Sequence, residues 1–217
     1  MKSAIAAMVS VFVATLWAAA GAQQPAGDGP VFTADGRLQR PTNYREWVFL
    51  TSSYNLTYGP AAANQDTRIP PFNNVFVNPS SYREFMKTGK WPDRTIFILE
   101  VRRASNSGLL MKDRRFQTET TGLEANVKDA ALPDGWGWFG FLDGAKSRDA
   151  AAPLSNAFKG GCFDCHTQHG AVEKTFVQFY PELYDVAKRM GTVNQAYDPS
   201  HEFWAGSPAP GRGPRNG

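Results

Sequence analysis

Cys162-Phe163-Asp164-Cys165-His166 is the stretch of this chain whose residue types and spacing amount to a chemical signature. Two cysteines three positions apart, followed directly by histidine, form the attachment pattern of a covalently held c-type haem. On one helical turn both sulfurs face the same side, so each can add across a haem vinyl group while His166 turns its imidazole to the iron. A Cys-x-x-Cys pair also suits a thioredoxin-like redox dithiol or half of a zinc site. Zinc takes about four ligands, and beyond these cysteines the chain offers only His166, His169 and His201. A redox dithiol belongs near the start of a βαβ unit, whereas this pair follows a series of strand-like segments. The residues therefore favour one covalently attached haem c, bound by Cys162, Cys165 and His166, with His166 as the iron ligand.

The same reasoning narrows the rest of the coordination. With both sulfurs in thioethers, no cysteine is left for a disulfide. His169 falls one turn after His166 and reads as a proximal surface or propionate-facing residue, and His201 is a weaker candidate still. Met86 reads as a core residue, and packing also explains Met111 and Met190, so no sixth ligand stands out.

The elements that position the motif begin after an export signal, predicted over residues 1–22. Lys2 supplies its positive end, residues 4–17 its apolar run, and Ala20-Gly21-Ala22 a small-residue cleavage site. That run is short of the roughly 20 residues that span a bilayer, so the expectation is a periplasmic protein with no membrane association after cleavage. Over the whole 217-residue chain 42% of residues are hydrophobic and 20% charged, the composition of an ordinary soluble protein. A net charge of +3, one unit of it in the signal, is too weak and too mixed to argue for nucleic acid. Arg102-Arg103 and the cluster at 112–115 read as solvated strand ends, with docking of an acidic redox partner or offsetting of haem propionates as the alternative.

Residues 23–40, rich in Gly, Pro, Gln and Asp, are expected to be a mobile leader that becomes ordered near Leu38. A single haem domain should cover 41–206, with a disordered Pro, Gly and Arg tail over 207–217. Within it a helical turn is expected at 43–47, strands at 48–52 and 74–77, and a loop at 58–73. Asn78-Pro79 starts a helix over 79–88 with Tyr82, Phe85 and Met86 on one face, and Gly89 stops it. Strands follow at 95–103, 109–111, 115–120 and 123–127. The run holding Trp136, Trp138, Phe139 and Phe141 is a further strand, either an aromatic core seam or a wall of the haem pocket. Its interleaved glycines invite close approach of a flat group or another backbone. Helices are expected at 153–158 and at 181–190, where Leu183, Val186, Ala187 and Met190 form an apolar stripe that Gly191 ends.

Taken together, these segments resemble the cytochrome P-460 family and its cytochrome c′-beta relatives. The matching stretches are Asn43-Tyr44-Arg45-Glu46-Trp47, Val75-Phe76-Val77-Asn78-Pro79, Gly135-Trp136-Gly137-Trp138, the cysteine-histidine motif, and Phe176-Val177-Gln178-Phe179-Tyr180-Pro181. The resemblance implies an α+β fold: an antiparallel sheet of about five strands with flanking helices, the c-type haem near the C-terminal helices, and often a homodimer. It also implies one five-coordinate haem. In the P-460 enzymes a strand lysine is cross-linked to the porphyrin edge and the haem oxidises hydroxylamine. In the c′-beta relatives the cross-link is missing and small gases such as nitric oxide bind. Here the lysine position falls on Leu99, which has no nucleophilic nitrogen, and Lys90, Lys112 and Lys128 lie elsewhere.

The distal face is then read from the strand at 95–103, where Phe97, Leu99 and Val101 share one side and Ile96, Ile98 and Glu100 the other. An apolar wall leaves iron open to neutral diatomics. No catalytic residue is fixed by the sequence, although Glu124 is a candidate carboxylate for proton transfer. Three functions follow from these expectations: binding of nitric oxide or related nitrogen species, with redox conversion and a redox partner protein; hydroxylamine oxidation; or simple electron transfer.

Overall fold

The computed structural model describes residues 27–54, 70–106, 115–143, 146–154 and 161–198. In chain order its strands are β1 (Leu38–Gln39), β2 (Val48–Tyr54), β3 (Phe72–Val77), β4 (Thr95–Ser105), β5 (Phe116–Lys128), β6 (Trp136–Asp143), β7 (Lys146–Ser147) and β8 (Ala150–Ala151). Its α-helices are α1 (Pro79–Thr88), α2 (Cys162–His169) and α3 (Pro181–Met190). Six strands form one antiparallel sheet in the order β2-β3-β4-β5-β6-β7, and β1 pairs with β8 in a second, two-stranded sheet. This is the α+β architecture that the resemblance implies. The strand beyond the expected five is β7, two residues long at the sheet edge.

Strand alternation divides the core into two layers. On one face Phe97, Trp136 and Trp138 pack with Phe85 and Trp91, and with Leu183, Val186 and Ala187 of α3. On the other, Ile96, Ile98, Phe139 and Phe141 pack with Leu38, Tyr44 and Trp47. The aromatic run of β6 is therefore two seams, split between the faces. Gly137 admits the Phe139 ring and the Leu132 side chain, which would lie 2.9 and 3.0 Å from an added Cβ. That is close approach by neighbouring side chains.

Several expected boundaries move. The pieces predicted at 115–120 and 123–127 form one strand, because ladders to β4 and β6 carry the chain through Gly122 despite its turn-like composition. Residues expected to turn helical at 153 are extended instead: Ala151 pairs with Leu38, and Pro153 bridges to Phe139. The backbone of Leu154 also donates to the Trp138 carbonyl at 2.8 Å. The stretch expected to be a mobile leader is engaged from Asp28 onward, its carboxylate accepting from the Ser80 backbone at 2.7 Å and its continuation burying Leu38 completely. The strand expected at 109–111, most of the loop expected at 58–73, the helical residues expected at 155–158, the signal at 1–22 and the tail with His201 lie outside the described residues, as do Met111 and Lys112.

Both longer helices follow their signals. Pro79 and Pro181 open α1 and α3, and Gly89 and Gly191 end them at φ of 68° and 66°. The helices meet at their C-terminal ends, where the Thr192 hydroxyl donates to the Gly89 carbonyl at 2.7 Å. The apolar stripes are narrower than the spacing suggests. Phe85 fills the core with its ring centroid 4.1 Å from that of Trp91, while Met86 and Met190 are 37% and 48% exposed and belong to no core layer.

Candidate functional site

The cysteine-histidine motif occupies the first turns of α2. Neither cysteine is in a disulfide, and both are partly buried. A tight return follows the helix. The Gly170 N–H donates to the His166 carbonyl at 3.0 Å, and a Cβ at Gly170 would lie 2.6 Å from that oxygen, so only glycine fits without a shift. Asn194 fastens the return from a distance, its amide donating to the carbonyls of Gly170 and Glu173 at 2.7 and 2.9 Å. The Trp91 indole donates to the Thr175 hydroxyl at 2.9 Å, and that hydroxyl donates to the Val172 carbonyl at 2.7 Å. These bonds bring the Lys174 carbonyl to 2.8 Å from His166 Nδ1.

His166 faces a cleft of about 550 Å³, part of it open to solvent, between the sheet and the 170–180 segment. Val75, Phe97, Leu99, Glu124, Asn126 and Trp138 line the sheet side, and Thr175, Phe176 and Tyr180 the other. The Phe176 ring lies 4.3 Å from the imidazole between centroids and Trp138 lies 5.4 Å from it, edge-on. The fold thus brings together His166, Phe97, Leu99 and Glu124. Leu99 and Glu124 are direct cross-strand partners. Val101 does not join them: it shares their side of β4 but sits across from Gly122, away from the cleft. The expected apolar wall is accordingly shorter, and its β5–β6 half carries polar groups that the strand pattern of β4 could not reveal. His169, Lys90 and Lys128 also lie off the lining. The Lys128 ammonium is engaged by Glu173 at 2.7 Å and the Trp91 carbonyl at 2.6 Å.

Burial leaves the ligand histidine neutral beside the carboxylate of Glu124. Burial pushes the His166 imidazolium down to about 4, outweighing the Lys174 carbonyl that favours it. Near neutral pH the ring is uncharged, its Nδ1–H donates to that carbonyl, and Nε2 keeps its lone pair. Burial, and next the charge of Glu124, push the Cys162 thiol up. Behind the cleft, Glu100 lies on the opposite face of β4 and is almost fully buried. It accepts from the Tyr44 hydroxyl at 2.7 Å, from Arg45 Nε at 3.0 Å and from the Asn74 amide at 3.1 Å. Burial alone would raise its carboxyl; those hydrogen bonds outweigh it and hold the group at about 2. The network fastens the strand bearing Leu99 to β3 and to the helical turn Tyr44–Glu46.

Comparison with known families adds one finding: residues 41–177 match the family model described as cytochrome P-460. The chain belongs to the cytochrome P-460 family. A comparison with curated proteins finds no match. The matched span runs from the helical turn before β2 through α2 into the return beyond it, so it contains every residue lining the cleft except Tyr180.

Membership in the cytochrome P-460 family implies a haem cofactor, and the residues present fit one. A neutral imidazole with a fixed tautomer suits an iron ligand. Two thiols stand one and four residues before His166 in the same helix, and His166 itself lines a cleft with aromatic and aliphatic walls. Zinc fits less well, since among the described residues no group of three or more His, Cys, Asp or Glu is placed to hold a metal ion. Sequence reasoning overlooked Asn126, Thr175 and Asn194. The first was hidden in a strand assigned for its apolar residues, and the others act through contacts far apart in sequence.

Proposed function

We propose that this member of the cytochrome P-460 family is an exported mono-haem c-type cytochrome whose open iron site binds nitric oxide or related small nitrogen species. Leu99 carries the reading: it lines the same cleft as His166, at the position where the resemblance places the enzymes' cross-linking lysine. Cys162 and Cys165 would hold the haem by thioethers, and His166 Nε2 would ligate iron while Lys174 keeps the Nδ1 proton in place. Bound there, haem supplies an iron that takes small ligands and exchanges electrons. Phe97, Leu99 and Val75 give one half of the cleft an apolar wall, which disfavours a tightly held water there. Among the described residues no second histidine, no methionine and no lysine lines it, which supports an open site over a six-coordinate electron carrier.

Export to the periplasm rests on the signal-like residues 1–22; a redox partner protein and a homodimer complete the proposal. The test is an absorption spectrum of the purified reduced protein before and after nitric oxide. High-spin haem-c bands that change on adding the gas are expected, and a low-spin six-coordinate spectrum at rest would overturn the reading. One observation favours hydroxylamine oxidation as the second reading. Glu124, a carboxylate able to move a proton, lines the cleft opposite Leu99. Sustained hydroxylamine turnover with an added electron acceptor would put that reading first.

A further inference from the structure

Beyond α2 the residues Val172-Glu173-Lys174-Thr175 close a tight turn, in which the Thr175 N–H donates to the Val172 carbonyl at 3.0 Å. Of the two central residues only Glu173 has a positive φ, 53°. Turns of type II′ give that position to glycine, because a Cβ crowds the backbone there. A glutamate persists in it only where the surroundings impose the conformation.

Asn194 imposes it. Its Oδ1 accepts from the Glu173 N–H at 3.1 Å and its Nδ2 donates to the Glu173 carbonyl at 2.9 Å, so one side chain grips both backbone polar groups of the strained residue. The same Nδ2 donates to the Gly170 carbonyl at 2.7 Å, and the Asn194 backbone N–H donates to the Ala171 carbonyl at 2.8 Å. An amide both donates and accepts, whereas a carboxylate of the same size only accepts. One residue further on, the Lys174 carbonyl stands 2.8 Å from His166 Nδ1, aimed by the turn that Asn194 holds. A hydrogen bond at that nitrogen fixes the tautomer of a ligating imidazole and raises its basicity. Asn194 lies beyond residues 41–177, the span that carries the family match.

We propose that Asn194 is a positioning residue for the iron ligand: it latches Glu173 in the left-handed conformation, so that the Lys174 carbonyl stays aimed at His166 and the ligand's donor strength is kept high. This rests on the reading of His166 as the ligand of a bound haem. The test uses the haem-loaded full chain, with the iron–histidine stretch of the reduced protein recorded by resonance Raman and the reduction potential measured beside it. Asn194→Ala removes the grip. Glu173→Gly and Glu173→Ala are then added to it separately. Both delete the carboxylate that pairs with Lys128 at 2.7 Å, and only glycine adopts the left-handed turn without help.

In Asn194→Ala the stretch should fall in frequency and the potential should rise, because a less basic imidazole stabilises oxidised iron less. Adding Glu173→Gly should bring both back toward the wild type, and adding Glu173→Ala should not. A lower thermal midpoint with stretch and potential unmoved overturns the latch, since Asn194 would then only anchor the chain. Equal effects of glycine and alanine at 173 overturn it as well. Hydrogen exchange in the wild type decides the matter if the variants fail to fold: the Glu173 amide, which donates to Asn194, should be protected, and fast exchange there overturns the latch. A low-spin six-coordinate wild type sinks the open-site reading alone, because the potential still reports on the latch. A purified chain that carries no haem sinks the haem reading, and the latch with it.

Discussion

At Leu99 a single side chain separates two chemistries. A lysine amine there could bond to a porphyrin edge, whereas leucine presents only methyl groups to the cleft. The haem peptide of the unmodified protein should therefore carry two thioethers and no third bond, which a mass spectrum reads directly. Finding a lysine-to-haem bond would restore the hydroxylamine-oxidase reading. Leu99→Lys should destabilise the fold by about 1–3 kcal/mol in denaturant unfolding, because the cleft desolvates an ammonium that Glu124 can only partly offset. The motif residues divide in a second experiment. Cys162→Ala should leave at most one thioether, while His166→Ala should keep both and lose the iron ligand. Haem-peptide mass and the reduced spectrum then change separately, and a Cys162→Ala protein with both vinyl groups consumed would contradict the attachment assignment.

At the scale of elements, what could be read were features whose causes are local. The ends of α1 and α3 follow from Pro at the first helical position and Gly in the left-handed conformation just past the last. The two faces of β4 follow from alternation. The return after α2 was not readable, because it has no hydrophobic period and is held by Trp91 and Asn194 from other parts of the chain. For the same reason the sequence carries no strand signal for β8: its extended form depends on pairing with β1, more than a hundred residues earlier. The return is where a small change should be felt most. In Gly170→Ala the added methyl meets the His166 carbonyl and the Thr175 N–H, 2.6 and 2.9 Å away, both backbone atoms. Overpacking of this kind costs about 1–3 kcal/mol. The thermal midpoint should fall, and the displaced Lys174 carbonyl should weaken its hold on His166 and alter the reduced spectrum. An unchanged midpoint and spectrum would show that the return yields easily.

Across the whole molecule, the Glu100 network joins the first helical turn, β3 and β4 behind the cleft, so its ionisation should set how the fold responds to acid. Its carboxyl lies at about 2 in the folded protein against an ordinary 4.5. A depressed carboxyl contributes stability that is fully present above the ordinary value and is lost as pH falls through the folded one. The window is therefore roughly pH 4.5 down to 2. The shift corresponds to about 2–3 kcal/mol once the solvent exposure of Arg45 is allowed for. Tyr44 acts at the other limit. Burial, then its hydrogen bond to Glu100, raises the phenol to about 12, so its contribution is intact below 10 and is lost as pH rises through 12. Glu100→Gln should lower stability near neutrality, because Arg45 loses its buried counter-charge. The gap between wild type and variant should close as pH drops from 4.5 to 2, since protonation makes the native carboxyl as neutral as the amide. Denaturant unfolding across that range checks it; a gap that stays constant would place the acid sensitivity of the fold elsewhere.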